Sequence, residues 1–211
     1  MKIFLFGATS PTGKWVLENL LAENHTVTAL ARNPDAMLTR HPHLNVVKGD
    51  VFNPSSYEER MPGTEVVVSL LGTGSHNKPT TLYSQGGQHI LNTMRKTGIQ
   101  KLITLTSGGV QTDDPVIQNS FFYKYVGLWY LRHIYADMAL WEKILDRSAD
   151  IDWICIRPTY LQNGALTQRY RVNNTYSPDK GWKISRADLA DFITRQVTSN
   201  EFVHQKPVIA Y

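Results

Sequence analysis

Cysteine is almost missing from this chain. Cys155 is the single one, so neither an intrachain disulfide nor a cysteine-based zinc site can form. Long apolar runs are missing too. No stretch of about 18 uncharged apolar residues occurs, so no transmembrane helix and no membrane partner are expected. The opening residues, MKIFLFGATSPTG, carry one lysine and a short apolar run that stops at glycine. They lack the apolar core and cleavage site of a secretory leader, which makes a cytoplasmic protein the expectation. Charge of one sign is not concentrated. The 22 lysines and arginines stand against 18 acids, a net +4, with no basic cluster dense enough for nucleic acid. A mildly basic surface suits an anionic small molecule instead. The seven histidines are scattered. His41 and His43 flank Pro42, and His76 follows a strand. No pair has a carboxylate in ligand context, so no metal is expected.

What is present is a chain of 211 residues, 42% of them apolar. That is enough for one domain over residues 1–211 with a real core. Short apolar runs predict strands at 3–6, 26–31, 44–48, 66–71, 102–106 and 151–156, the last halted by Pro158. Helical spacing predicts helices at 13–23 (Trp15, Val16, Leu20, Leu21), 80–96 with Gly98 as its stop, 137–147 (Met138, Leu140, Trp141, Ile144, Leu145) and 186–197. A short strand at 208–210 closes the chain. Residues 109–118 and 162–181 read as loops over the same domain. Strand and helix alternate, which gives an α/β fold: a doubly wound parallel sheet with helices on both faces. The aromatic segment 121–130 reads first as a core-packing helix or dimer contact. Its other reading is a lid that stacks on a planar substrate.

Phe6-Gly7-Ala8-Thr9-Ser10-Pro11-Thr12-Gly13 lies directly between a strand and a helix, the setting that a phosphate-binding turn requires. Gly7 allows a sharp exit from the strand, and Gly13 allows the helix to pack close. The helix start offers N–H groups and partial positive charge to a pyrophosphate, with hydroxyls from Thr9, Ser10 and Thr12 beside it. Past the second strand comes Arg32, where an acidic residue would bind a ribose 2′-hydroxyl. An arginine there clamps a 2′-phosphate, so NADPH is expected over NADH.

These motifs resemble the atypical short-chain dehydrogenase/reductases, and more narrowly the NAD(P)H-binding, NmrA-like group that includes biliverdin-IXβ reductase, a flavin reductase. The likeness runs nearly the full length. It continues through Lys48-Gly49-Asp50-Val51, Leu70-Leu71-Gly72-Thr73, Pro79-Thr80-Thr81 and Thr106-Ser107. Glu142-Lys143-Ile144-Leu145, Ile156-Arg157-Pro158 and Ile184-Ser185-Arg186-Ala187-Asp188-Leu189 complete it. The resemblance implies a Rossmann-type domain with a small C-terminal extension on the substrate side. It also implies that Asp50 and Val51 flank the adenine, a role for which Asp50 competes with plain turn capping. Leu71, Gly72 and Thr73 would follow the pyrophosphate and nicotinamide ribose. Thr106 and Ser107 would lie beside the nicotinamide, and Pro158, Thr159 and Tyr160 would border its carboxamide.

Three departures bear on chemistry. The group's middle glycine of the first turn is Ser10 here. Thr159 stands where biliverdin-IXβ reductase has histidine after the proline. The Tyr-x-x-x-Lys pair of short-chain dehydrogenases is missing, because Tyr135 is followed four residues on by Ala139. A tyrosinate relay for alcohol oxidation is thus not expected. Hydride transfer to a flavin, quinone or biliverdin-like acceptor needs mainly orientation, with Ser107 as the remaining hydrogen-bond donor. The expectation is an NADPH-dependent reductase of a small planar substrate, monomeric or homodimeric. The alternative is a regulator that senses the dinucleotide without turnover. A nucleotide-sugar epimerase is disfavoured, since its chemistry needs the missing tyrosine.

Overall fold

Alternation along β1 (Lys2–Phe6) divides the core in two. Ile3 and Leu5 face one side of the sheet, while Phe4 and Phe6 face the other, as the two-residue period of a doubly covered strand demands. The computed structural model describes residues 1–74, 78–119, 125 and 127–211. His76 and residues 121–124 and 126 of the aromatic segment fall outside them. The further strands are β2 (Thr26–Ala31), β3 (Leu44–Lys48), β4 (Val66–Ser69), β5 (Lys101–Leu105), β6 (Asp152–Pro158), β7 (Tyr160–Gln162), β8 (Arg171–Asn173), β9 (Lys183–Ser185) and β10 (Val208–Ala210). The main sheet has the order β3-β2-β1-β4-β5-β6-β10-β8. It is parallel except where β8 runs antiparallel to β10 along the edge. A separate pair, β7 and β9, is parallel.

The helices are α1 (Pro11–Ala22), α2 (Ser84–Thr97), α3 (Pro115–Gln118), α4 (Leu128–Tyr130), α5 (Arg132–Asp146) and α6 (Arg186–Gln196). Val16, Leu17, Leu20 and Leu21 of α1 pack with Leu189, Phe192 and Ile193 of α6 on one sheet face. Ile90, Leu91 and Met94 of α2 pack with Met138, Trp141 and Leu145 of α5 on the other. The sequence thus forms the doubly wound α/β sheet its alternation implies. No described helix is long and apolar enough to cross a membrane.

Several boundaries differ from the sequence reading, each for a local reason. α1 begins at Pro11 because Ser10 caps it, its Oγ accepting the Gly13 N–H at 3.0 Å. α2 begins at Ser84 rather than Thr80. Asp137 of α5 reaches across and accepts the N–H groups of Tyr83 (2.8 Å) and Ser84 (3.3 Å), so the helix starts there. α2 stops as expected at Gly98, in the left-handed region with φ 72°. β4 ends at Ser69, and α5 starts one turn early at Arg132. Pro158 does not halt β6. On the β5 side, the Ile156 carbonyl accepts the Thr106 N–H, and beyond it no ladder partner needs a proline N–H. Residues 162–181 hold β8 and the last residue of β7, strands too short to show a period. Trp15 and Leu140 sit beside, not on, their helices' apolar stripes and are 44% and 51% exposed.

Candidate functional site

The strand order reverses between β1 and β4, which is where an open α/β sheet leaves a crevice at its carboxyl ends. A cavity of about 730 Å³ opens there, within the roughly 300–1,000 Å³ range of small-molecule sites. Its first wall is the turn between β1 and α1. Gly7 has φ +82°, and a Cβ on it would lie 2.3 Å from the Leu70 carbonyl oxygen. The Ser10 N–H returns to the Gly7 carbonyl at 3.0 Å, which closes the turn. A Cβ on Gly13 would lie 2.1 Å from that same carbonyl oxygen. Gly13 therefore lies behind the turn and holds it against the helix. It is the one residue of the expected set that does not line the cavity; Gly7, Thr9, Ser10, Pro11 and Thr12 do. The first turn of α1 contains no acid. Nothing there opposes an anion at the positive helix end.

The ends of β2 and β3 form the next wall. Arg32 lines the cavity and is exposed. Among the described residues no ion pair or hydrogen bond claims its guanidinium. Asp50 and Val51 line the cavity too. The Asp50 Oδ1 accepts the Phe52 N–H at 3.0 Å, so the turn-capping reading holds for that oxygen. Leu71, Gly72 and Thr73 follow β4 along the floor, where the Thr73 hydroxyl donates to the Gly74 carbonyl at 3.0 Å.

The far half is more apolar. Leu82, Leu131, Ile134 and Met138 line it, with Ser107, Pro158, Thr159 and Tyr160 at the ends of β5 and β6. Ser107 accepts the Gly109 N–H at 3.2 Å, which leaves its own proton to donate. Thr106 differs. Its hydroxyl donates to the Glu142 carboxylate at 2.7 Å and touches the Cys155 sulfur at 3.4 Å. The proton of Thr106 is committed to the core, so what it brings to the cavity is wall, not a donor. Glu142 in turn takes the Arg157 Nε at 2.9 Å and a second, shorter bond from the same guanidinium. Both side chains are buried. Burial works against the Arg157 charge, and the carboxylate more than offsets it, holding the guanidinium above its ordinary value. Burial, with Glu142 adding to it, pushes the Cys155 thiol up to about 12, so that sulfur is no nucleophile.

Sequence reasoning missed three groups here. Tyr135 lines the cavity from α5 although no lysine follows it. Tyr83 lines it before α2, with a hydroxyl whose pKa burial raises and Thr73 beside it. Arg186, at the start of α6, lines the cavity from beyond β9. Tyr135 has no lysine four residues on to signal it, and Arg186 has no local signal beyond its place in the run from Ile184 to Leu189. Of the aromatic segment, the described Tyr125, Trp129 and Tyr130 are 59%, 60% and 41% exposed, so none of these three packs in the core. Among the described residues no group of three metal-ligating side chains occurs.

The residues present fit a dinucleotide: a glycine cradle with no room for a Cβ, an acid-free helix start, a free guanidinium and an apolar end. Known proteins share the fold. The oxidoreductase ylbE of Lactococcus lactis superposes with TM-score 0.84 at 19% identity, over 100% of this chain and 90% of its own. A short-chain dehydrogenase/reductase of Veillonella parvula, solved in complex with NADP, gives TM-score 0.78 at 15% identity over 100% and 94%. At these identities the likeness is one of fold. An uncharacterized chloroplastic protein of Arabidopsis thaliana is 25% identical over 177 residues, 79% of this chain, and this chain spans 61% of that relative's length. The profile described as NAD(P)H-binding matches residues 7–200, so this Rossmann-type chain belongs to the NAD(P)H-binding family.

Proposed function

We propose that the protein is an NADPH-dependent reductase that passes hydride to a flat acceptor, a flavin or a quinone. One observation carries the reading. Among the described residues no partner claims Arg32 on the β2 side of the cavity, and Leu82, Leu131, Ile134 and Met138 wall its other side, where Tyr135 has no lysine four residues on. Gly7, Thr9, Ser10, Pro11 and Thr12 wrap the pyrophosphate, with Gly13 behind them. Arg32 takes the 2′-phosphate, Asp50 and Val51 border the adenine, and Leu71, Gly72 and Thr73 follow the chain of the coenzyme. Thr106, Pro158, Thr159 and Tyr160 bound the nicotinamide end. NADPH supplies two electrons as hydride, and a proton from water completes the reduced flavin or quinol. Ser107 donates its free proton to the acceptor or to the carboxamide and holds it in line.

Two measurements test this. In a fluorescence titration NADPH binds about tenfold more tightly than NADH, and Arg32→Gln removes the difference, since one charge-assisted bidentate contact is lost. Equal affinity of the two coenzymes for the wild type overturns the assignment of Arg32. With NADPH, the enzyme turns over FMN or menadione and leaves simple secondary alcohols untouched. NADPH that binds yet is not consumed with any flavin or quinone of a panel replaces the reductase by a sensor of the dinucleotide.

A further inference from the structure

Tyr160 and Trp182 stack in the open. Their ring centroids lie 5.9 Å apart at 28°, and they are 61% and 56% exposed. Large aromatic side chains carry the greatest area for burial, and leaving two stacked faces in water forgoes it. Their backbone is fixed, so the exposure is built in. The Tyr160 N–H donates to the Trp182 carbonyl at 3.0 Å, and Tyr160 pairs with Lys183 in the β7–β9 ladder. The C-terminal Tyr211 ties β9 down twice, its N–H on the Lys183 carbonyl at 3.0 Å and its hydroxyl accepting the Ser185 N–H at 3.2 Å.

The Tyr160 end of the stack borders the cavity. Tyr160, Leu161 and Arg186 all line it, immediately past Thr159 at the end of β6. One cation lies over the rings and a second lines the same cavity. Lys183 places its Nζ 5.4 Å from the Trp182 ring centre. Arg186 donates to the neutral Asn163 Oδ1 at 2.9 Å. Among the described residues no carboxylate forms an ion pair with either. The acid nearest Arg186 in sequence, Asp188, is fully engaged by Thr167, Gln168, Ser185 and Tyr211. An exposed aromatic platform beside uncompensated positive charge matches a flat molecule with an acidic group.

We propose that Tyr160, Trp182, Lys183 and Arg186 form the acceptor-docking subsite, and that it selects planar acceptors bearing a phosphate or carboxylate. The inference rests on the reductase reading for the word acceptor, but its test is equilibrium binding without coenzyme and so stands apart from turnover. The probes are FMN and riboflavin, which share a ring and differ in one phosphate. The wild type binds FMN about tenfold more tightly than riboflavin, and either flavin quenches tryptophan fluorescence. Trp182→Ala weakens both flavins about tenfold, the scale of one lost ring stack, while its affinity for NADPH and its melting temperature stay as in the wild type. Arg186→Gln abolishes the preference for FMN and leaves riboflavin binding as it was. Wild-type affinities that are equal for the two flavins, absence of flavin binding, or a Trp182→Ala protein that binds flavins unchanged each overturn the subsite. NADPH binding that fails while FMN binding persists overturns the coenzyme reading and leaves the subsite standing.

Discussion

Glu142→Ala is expected to remove about 3–5 kcal/mol of stability, the usual consequence of leaving a buried charge without its partner. The Arg157 guanidinium then keeps only its bond to Gln111 at 3.2 Å inside the fold. Thr106 loses its acceptor as well, and it forms part of the cavity wall. Glu142 therefore couples core stability to the shape of the site. Glu142→Gln separates the two effects: the amide oxygen still accepts from Thr106, so the wall persists while the ion pair is lost. Urea unfolding at neutral pH reads the first effect as a lower midpoint with an unchanged slope. A joint replacement, Glu142→Leu with Arg157→Met, is expected to recover much of the loss, since a packed apolar pair avoids the desolvation of two charges. Lys206 sharpens the test. Its Nζ lies 4.0 Å from Glu142 and 2.7 Å from Asp146, so in the single Glu142→Ala variant it keeps a carboxylate where Arg157 keeps only the Gln111 amide. If Glu142→Ala unfolds within about 1 kcal/mol of the wild type, the pair contributes no more than an exposed one.

The parts of this molecule that the sequence made legible are those written in short-range signals. Strands buried on both faces are plain apolar runs, so β1 to β6 were placed to within a few residues. The turn at Gly7–Gly13 was legible because the glycines, the hydroxyls and the strand–helix setting stand together. The parts that were missed depend on distant chain meeting. Asp137 sets the start of α2 from more than fifty residues away. Glu142 and Arg157 were both in view as motif members, yet nothing local says that a helix and a strand bring them together. β8 has three residues and gains its place only by pairing with β10. Resemblance points Tyr160 to the nicotinamide end, but its exposed stack on Trp182 exists only because β7 and β9 lie side by side. Local signals thus locate the scaffold and the Gly7–Gly13 turn, whereas the β7–β9 side of the cavity is built by contacts that no window of sequence contains.

Gly7→Ala should abolish measurable dinucleotide binding, weakening NADPH by about a hundredfold or more, while Gly98→Ala leaves it intact. The two positions share a backbone state, with φ +82° and +72°. Each substitution therefore incurs the left-handed strain of an L-residue, about 1–2 kcal/mol. They differ in surroundings. At Gly98 a Cβ meets nothing within 4 Å, so strain is the entire cost. At Gly7 the new methyl lies 2.3 Å from the Leu70 oxygen and 2.8 Å from its carbon, both main-chain atoms of the segment leaving β4. Neither can swing aside as a side chain would. The turn must lift off the sheet, and with it go the Ser10 N–H bond to Gly7 and the seat for Gly13. Because that lift enters the cavity wall itself, the binding loss exceeds what strain alone predicts. Parallel melting curves and NADPH titrations of both variants separate the two contributions. A larger loss of melting temperature in Gly7→Ala than in Gly98→Ala, with binding lost only in Gly7→Ala, is the expected pattern. Binding retained by Gly7→Ala means that the turn does not hold the coenzyme's phosphates, and the assignment of the cavity fails with it.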